Sequence, residues 1–580
     1  MASRAKAAAP ILIAALVAAL PVLHGLAAGD DFQFHLLSWL DAQQSWKLGV
    51  FYPHWAPSAN YGAGEPRFLF YPPLTWMLGA GLGLLLPWKF VPAAMLFLLL
   101  AATGFATRAL ARKLLPEEQS TLAGCIAILS GYALYTAYAR AAFAELAGGF
   151  WIPLLLLFAL SDRRPQAPGW QRALDGSSVP LALAIAGAWL SNIPVGIMAS
   201  YLLAAIAILI ALQTRSWFAL VRAGIATVVG LGLTGIYLAP ATLEQHSINA
   251  AEITDLPIFR MESHFLFPWH ADPVLSVHGI GLSFVALLLA IPLLGVAAFW
   301  MRRKLPHQEP SRRRWIALGS LPLAVLLLHL PVSEPLWNLL PRLRYLQYPW
   351  RWLLVLEAPT GIFLAATLWP GRSVRLWQRV GICLVCAGLL LASVDFATRR
   401  FLLSRDQSGL ASLLDAYKSG AGFDGIQEYA ERGWDNSLVA MGLPDACLVA
   451  DPNVMLGAGG SLGENPHWSP ELGSCIATAA ATVRQPEHRR IALTALRSGY
   501  LVLRLRSYPA WRITVNGQPT TPISRDGDGL IAIPVPAGFI SVAVDWMSMP
   551  DAGAGRAISG ASLILLAGLY FEERRLRGIG

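Results

Sequence analysis

Residues 88–110 read WKFVPAAMLFLLLAATGFATRAL, and no charged side chain stands between Lys89 and Arg108. A helix rises about 1.5 Å per residue, so such a run reaches across a hydrocarbon core roughly 30 Å thick. Comparable runs recur along the chain. They place spanning helices near 8–28, 88–110, 120–138, 146–161, 179–193, 195–212, 217–240, 279–300, 315–331, 349–369, 376–394 and 557–572. The reading is an all-α polytopic membrane domain of about twelve transmembrane helices. Composition agrees: 55% of the 580 residues are hydrophobic and 14% are charged, where a soluble domain carries about a quarter.

The net charge of +9 gathers in short loops. Arg163 and Arg164, Arg302 to Lys304, Arg312 to Arg314, Arg372, Arg375 and Arg379, and Arg574, Arg575 and Arg577 mark the cytoplasmic side. Nucleic acid is not the expected partner, because this charge forms no continuous stripe. The stretch 69–86 is apolar enough to span. If it crossed, Arg108, Arg112 and Lys113 would face away from Arg4 and Lys6. Pro72-Pro73 also disfavours a regular helix start in the bilayer. It is therefore expected to be a re-entrant or interfacial hairpin. The first apolar stretch, 7–28, exceeds the roughly 7–15 residues of a signal-peptide core and is read as a retained helix. Both termini are then cytoplasmic, and 29–87, 139–145, 192–194, 241–278, 332–348 and 395–556 face outward.

Three units follow: a membrane domain over 1–394, an extracytoplasmic module over 395–556, and a final helix with a basic tail over 557–580. From residue 490 the pattern alternates with period two. Trp511, Ile513 and Val515 share a face, as do Ile531, Ile533 and Val535, and Ile540, Val542, Val544 and Trp546. Asn516-Gly517 and Asp526 to Gly529 are turn signals, so this part is expected to be a β-sandwich-like module. The fold of 396–489 cannot be assigned from its pattern. Of five cysteines, Cys383 and Cys386 sit in an apolar run, where packing explains them. Cys447 and Cys475 could form a disulfide if their side is oxidising.

Charged groups near a membrane are costly and point to function. Asp30 and Asp31 follow the first helix, and His35 stands four residues after Asp31, on one helical face. This pattern suits a general base or a divalent metal site; a helix cap beside a solvated loop is the plain alternative. Arg140 and Glu145 suit phosphate binding, the guanidinium presenting a planar fork, or else a structural ion pair. Arg342, Arg344 and Arg351 lie among aromatics on the outer edge and fit an anionic headgroup or pyrophosphate. Asn192, before Pro194, reads as a helix break. Glu244, Glu262 and His264 lie in an outer loop. No HExxH or Walker motif occurs, and Gly457 to Gly460 lack the strand–helix setting of a nucleotide loop.

Asp31 with His35, and the string from Tyr61-Gly62-Ala63-Gly64-Glu65-Pro66-Arg67 through Pro72-Pro73-Leu74, resemble a bacterial membrane-protein family. Its label is "6-pyruvoyl-tetrahydropterin synthase-related domain", although nothing here suggests pterin chemistry. That family is similar to the GT-C class of membrane glycosyltransferases. Arg140 with Glu145 and the run Leu346-Gln347-Tyr348-Pro349-Trp350-Arg351 fit it. Ala141 replaces a usual Gly, and Ser191-Asn192-Ile193-Pro194 stands where His-Asn-Pro is expected. Tyr508 to Gly517 and Pro534 to Gly538 are similar to the end of large GT-C-like proteins that modify envelope polymers.

The resemblance implies a GT-C-like fold and a polyprenyl-phosphate-linked sugar as donor. It implies an envelope glycan, lipid or protein as acceptor, on the outer face of the bacterial inner membrane. Asp31, with Asp30, would deprotonate the acceptor or hold a divalent metal ion, and His35 would orient the carboxylate. Arg140, Arg351 and Arg344 would hold the donor phosphate, and Glu145 would position Arg140. Glu262, His264 and Asn192 form a further substrate-facing set, and the β-module would guide the acceptor. Two other classes compete. A transporter or flippase would need polar groups through the midplane, of which Asn192 is the clearest. An inactive scaffold would leave Asp30, Asp31 and Arg140 apart in space.

Overall fold

A computed structural model describes residues 2–24, 29–161, 177–268, 281–302, 309–368, 376–403, 409–459 and 464–578. Arg163, Arg164, Arg303, Lys304, Arg372 and Arg375 lie outside the described residues, as do the side chains of Arg379, Cys383 and Cys386.

The described part of each expected span is largely helical, but not every helix is full-length. Among the described residues, six helices are long and apolar enough to cross alone: Trp88–Ala111, Glu117–Ala139, Ile193–Thr214, Leu282–Met301, Pro349–Leu368 and Pro550–Arg575. Two helix pairs pass only together and are sharply bent, each a broken span or a re-entrant loop. Phe218–Leu233 meets Gly235–Ser247 at 75°, and Ser311–Leu328 meets Pro331–Leu339 at 93°. Ala8–Leu23, Phe143–Ala159, Ser178–Ser191 and Ala387–Thr398 are shorter apolar helices. By length and composition alone, six to eight of the described helices suffice to cross, and the remaining expected spans are shorter apolar helices. Local breaks explain part of the difference. Ala141 adopts φ +50° just before Phe143, and Asn192 in extended conformation separates Ser178–Ser191 from Ile193–Thr214.

The stretch 69–86 also differs from the expected hairpin. Arg67–Phe70 forms one turn, Tyr71 is extended, and Pro73–Leu85 is a single helix. Pro73 opens that helix, where its fixed φ and missing N–H cost nothing. The helix rises about 20 Å, too short to cross alone. It packs on the helix Phe32–Lys47, with Gly79 so close to the Trp39 indole that a Cβ there would come within 2.4 Å.

Small residues set other helix contacts. Gly361 abuts the Ala123 carbonyl, and Gly555 of the last helix abuts that of Gly235. Lipid tails are as apolar as leucine, so close backbone packing stands in for a hydrophobic drive. The outer surface of the last helix exposes Leu563, Ile564, Leu565 and Phe571.

The C-terminal module is a sandwich of two five-stranded antiparallel sheets. Its strands are β1 Ala446–Val449, β2 Ala477–Ala479, β3 Ala481–Arg484, β4 His488–Ala495 and β5 Gly499–Arg506. They continue as β6 Trp511–Val515, β7 Gln518–Pro519, β8 Ile523–Ser524, β9 Leu530–Val535 and β10 Gly538–Trp546. The sheet orders are β2-β1-β5-β9-β8 and β3-β4-β10-β6-β7. The expected alternation is the core: Ile513, Val515, Ile531, Ile533, Ile540, Val542 and Val544 are buried, with Leu501, Leu503 and Leu505 from β5. Asn516 and Gly517 both have positive φ, the hairpin geometry their sequence suggested. The unassigned stretch supplies a helix, Leu410–Ser419, and strands β1 to β3. Cys447 and Cys475 are joined as a disulfide.

Sandwich and membrane domain share a core through the loop after Phe32–Lys47. Trp55 packs against Tyr508, Trp511 and Trp546. Glu65 and Arg67 form a buried pair at 2.6 Å; Arg67 donates to Ser38 Oγ, and Glu65 accepts from the Ile426 amide.

Candidate functional site

The site begins where the first helix ends. Gly29 lies so close to the Arg140 carbonyl that a Cβ there would come within 2.8 Å of its oxygen. The Asp31 amide donates to the same oxygen at 2.9 Å. Asp31 and Arg140, 109 residues apart, are thereby held side by side. Arg140 itself follows a π-helical turn, Tyr135–Ala139. Such turns often mark functional positions.

Arg140 is shared between two carboxylates. Its Nη1 lies 2.6 Å from Glu145 Oε2, and its Nη2 lies 3.5 Å from Asp31 Oδ2. Arg351 Nε approaches the same Glu145 oxygen at 3.4 Å, and Arg351 Nη1 donates to the Leu346 carbonyl. Tyr132 donates its hydroxyl hydrogen bond to Glu145 Oε1. Glu145 is buried, so its charge is matched by two guanidiniums and a phenol, as a buried charge requires. Both arginines also sit over aromatic rings: Arg140 over Trp350 at 5.1 Å and Arg351 over Tyr348 at 5.0 Å.

Asp31 is the open member, with 42% of its side chain accessible. Burial by the surrounding protein pushes its carboxyl above the ordinary value, Arg140 and then Arg351 oppose this, and Glu145 and Asp30 add to it. Asp30 is exposed beside it.

The structure does not bring the His35 ring to Asp31. The ring is enclosed by Phe34, Trp39, Tyr71 and Phe143, and its Nδ1 has no partner among the described residues. Burial, then Arg140 and Arg67, push it down to about 3, so it is neutral. It fills space and does not orient the carboxylate. Among the described residues no three His, Cys, Asp or Glu side chains converge to hold a metal, and the group nearest Asp31 is a cation. The residues present do not build a metal centre, so no step is derived through one.

Other expected site residues are placed elsewhere. Arg344 is engaged at the surface by Glu262 at 3.0 Å and by Asn338. His264 binds the Ile258 carbonyl and packs its ring edge-on to Tyr348, one layer out from Arg351. Asn192 caps the helix Ile193–Thr214 by accepting from the Val195 amide, which is the helix-break reading.

Two further residues, neither singled out from the sequence, lie close enough to feel the charge of Asp31. The Tyr71 hydroxyl is pushed up by burial, then by the charges of Asp31 and Glu428. Glu428, from the unassigned stretch, is pushed up to about 7 by burial, with Glu65 and Asp31 adding and Arg351 opposing. Tyr71 lies in the string that carries the family resemblance, and Tyr132 follows a polar break in an apolar run. Glu428 had no local signal.

No family model matches the chain, and no curated protein does. Among solved structures, it is similar to an arabinofuranosyltransferase, AftD, from Mycobacteria, at 17% identity and TM-score 0.42 over 71% of this chain and 28% of that one. It is also similar to an Archaeoglobus fulgidus oligosaccharyltransferase, at 12% identity and TM-score 0.39 over 73% of this chain and 61% of that one. The chain therefore spans less than two thirds of either protein.

Proposed function

We propose that this membrane protein is a GT-C-like glycosyltransferase. It would transfer a sugar from a polyprenyl-phosphate donor to an envelope glycan, lipid or protein at the outer face of the bacterial inner membrane. The observation that carries this reading is the convergence of one accessible carboxylate, Asp31, with two guanidiniums set in aromatic surroundings, Arg140 and Arg351. An inactive scaffold is expected to leave Asp31 and Arg140 apart, and they lie 3.5 Å from each other. The Cys447–Cys475 disulfide supports an oxidising, outward location for the module.

The arrangement of these residues suits glycosyl transfer. The donor phosphate takes Arg140 Nη2, whose 3.5 Å contact with Asp31 is long and easily exchanged. Arg351 supplies a second fork, and Glu145 keeps both guanidiniums from collapsing onto Asp31. The acceptor oxygen attacks the anomeric carbon as the bond from that carbon to the phosphate oxygen breaks. Asp31, released from Arg140, accepts the acceptor's proton. The departing polyprenyl phosphate gains one negative charge, which the two arginines offset. Fixed cations aimed at developing charge are worth more in a partly dry site than in water.

The test uses full-length protein in lipid with a radiolabelled panel of polyprenyl-phosphate sugars and envelope extract as acceptor. Wild type is expected to consume one donor. Asp31→Asn is expected to bind that donor and not turn it over. A wild type that binds a carrier yet neither transfers nor hydrolyses its sugar would move the assignment to a transporter or scaffold for lipid-linked glycans.

A further inference from the structure

A second concentration of charge lies in the sandwich, where β3, β4 and β5 meet the loop at Gly62. Arg484, Arg489 and Arg504 gather around one carboxylate, Asp445. Arg504 Nη2 is 2.8 Å from Asp445 Oδ1, and Arg484 Nη1 is 3.5 Å from the same oxygen. The other Asp445 oxygen accepts from the Ala481 amide at 3.0 Å. Arg489 donates to the Arg504 backbone carbonyl at 2.5 Å and makes no ion pair among the described residues. Its side chain is 97% buried by the surrounding protein, yet its Nε has no partner there, and neither has Arg504 Nε. Burial and the charge of Arg484 push the Arg489 guanidinium below its ordinary value.

This arrangement is out of balance. Three guanidiniums face one carboxylate, and two inward N–H donors are unused. A buried donor left without a partner costs about 1–3 kcal/mol, and like charges in contact add to that. Nearby carboxylates do not correct it: Glu487 is held by His54, and Asp545 by His488 and Arg490. Arg484 keeps 44% of its side chain open, so the cluster is reachable from water. Gly62, at φ +90°, lets the loop pass against the Arg484 and Arg504 guanidiniums. A planar fork with free donors matches a carboxylate or phosphate group in shape and charge.

We propose that Arg484, Arg489 and Arg504 form an oxyanion-binding site that takes the carboxylate or phosphate group of an acidic sugar. That the oxyanion is carried by a sugar rests on the glycosyl-transfer reading above; the oxyanion site itself does not. The site would hold part of an acidic acceptor glycan on the module, joined to the Asp31 region through the loop that carries Gly62, Glu65 and Arg67.

Calorimetry on the full-length protein in uncharged nanodiscs tests this, with glucuronate, inorganic phosphate and glucose as probes. Glucuronate or phosphate is expected to bind at millimolar concentration and glucose is not. Arg484→Ala, at a half-open position, should weaken binding at least about tenfold. Asp445→Asn should tighten it by removing the competing carboxylate. Phosphate binding without glucuronate binding would keep the site and narrow its ligand to phosphate. No heat with either anion, or binding unchanged in Arg484→Ala, would overturn the proposal. Because donor turnover is not measured, failure here is separable from failure of the transferase reading.

Discussion

Glu145 is the residue on which the candidate site turns, because two arginines share one of its oxygens. Removing one partner of a buried pair leaves an uncompensated charge, which costs about 3–5 kcal/mol. Arg140→Ala is therefore expected to lower thermal stability sharply and abolish donor binding. Arg140→Ala with Glu145→Gln should regain most of the stability and none of the binding. Melting curves and a donor-binding assay on both variants separate the structural role from the functional one. Glu428 gives a pH signature. Its folded value, about 7, is raised above the ordinary carboxyl value, so the folded protein holds this proton more tightly than the unfolded chain. Its contribution to stability is full below the unfolded value and is lost as pH rises through about 7. Above that pH it also sets a negative charge near Asp31 and Arg351. Affinity for an anionic donor should then fall as pH climbs through about 7, and Glu428→Gln should flatten that fall. An unchanged profile would detach Glu428 from the site.

Among the elements, the loop from Trp55 to Arg67 carries the most structural consequence, since it ties the helix bearing Asp31 to the sandwich. Gly64 there has φ +79°, and a Cβ on it would come 1.9 Å from Trp55 Nε1. Backbone strain and the clash act together, so Gly64→Ala should cost about 2–4 kcal/mol. A denaturant or thermal melt checks this. A near-neutral result would mean that the loop bears no load. The segment that follows this loop shows how element-level reading fails. Pro72-Pro73 looked like an obstacle to a helix, but Pro73 occupies the first helical position, where proline is favoured. A proline's effect depends on where the helix starts.

At the scale of the whole molecule, the sandwich and the first outer loop must lie on one face of the membrane, because they share a core. In a background lacking Cys125, Cys383 and Cys386, cysteines at the exposed positions Phe51 and Met455 should both react with an impermeant maleimide on intact cells. A cysteine at Lys113, in a short basic loop, should react only after permeabilisation. Opposite labelling of positions 51 and 455 would contradict the shared core, and labelling of 113 from outside would invert the charge-based orientation.

The sequence by itself determined the membrane class and the sandwich. Both follow from periodicity along a continuous run: twenty apolar residues have one low-energy state in lipid, and Ile531, Ile533 and Val535 can share a face only as a strand. It also determined that Asp31, Arg140 and Arg351 are unusual, since each is a charge at the edge of an apolar segment. Only the tertiary structure decided which of these charges meet. Arg344 and Arg351 stand seven residues apart and look alike in the sequence. One turns to Glu262 at the surface and the other to Glu145 in the interior. His35 shares a helical face with Asp31 and is nonetheless sealed among aromatic rings. Glu428, Arg484 and Arg489 come from the stretch whose fold the pattern left unassigned, and Arg504 from an alternating strand that gives no sign of its partners. Side-chain partners across hundreds of residues are set by how helices and sheets pack, and neighbours in the chain carry no record of that.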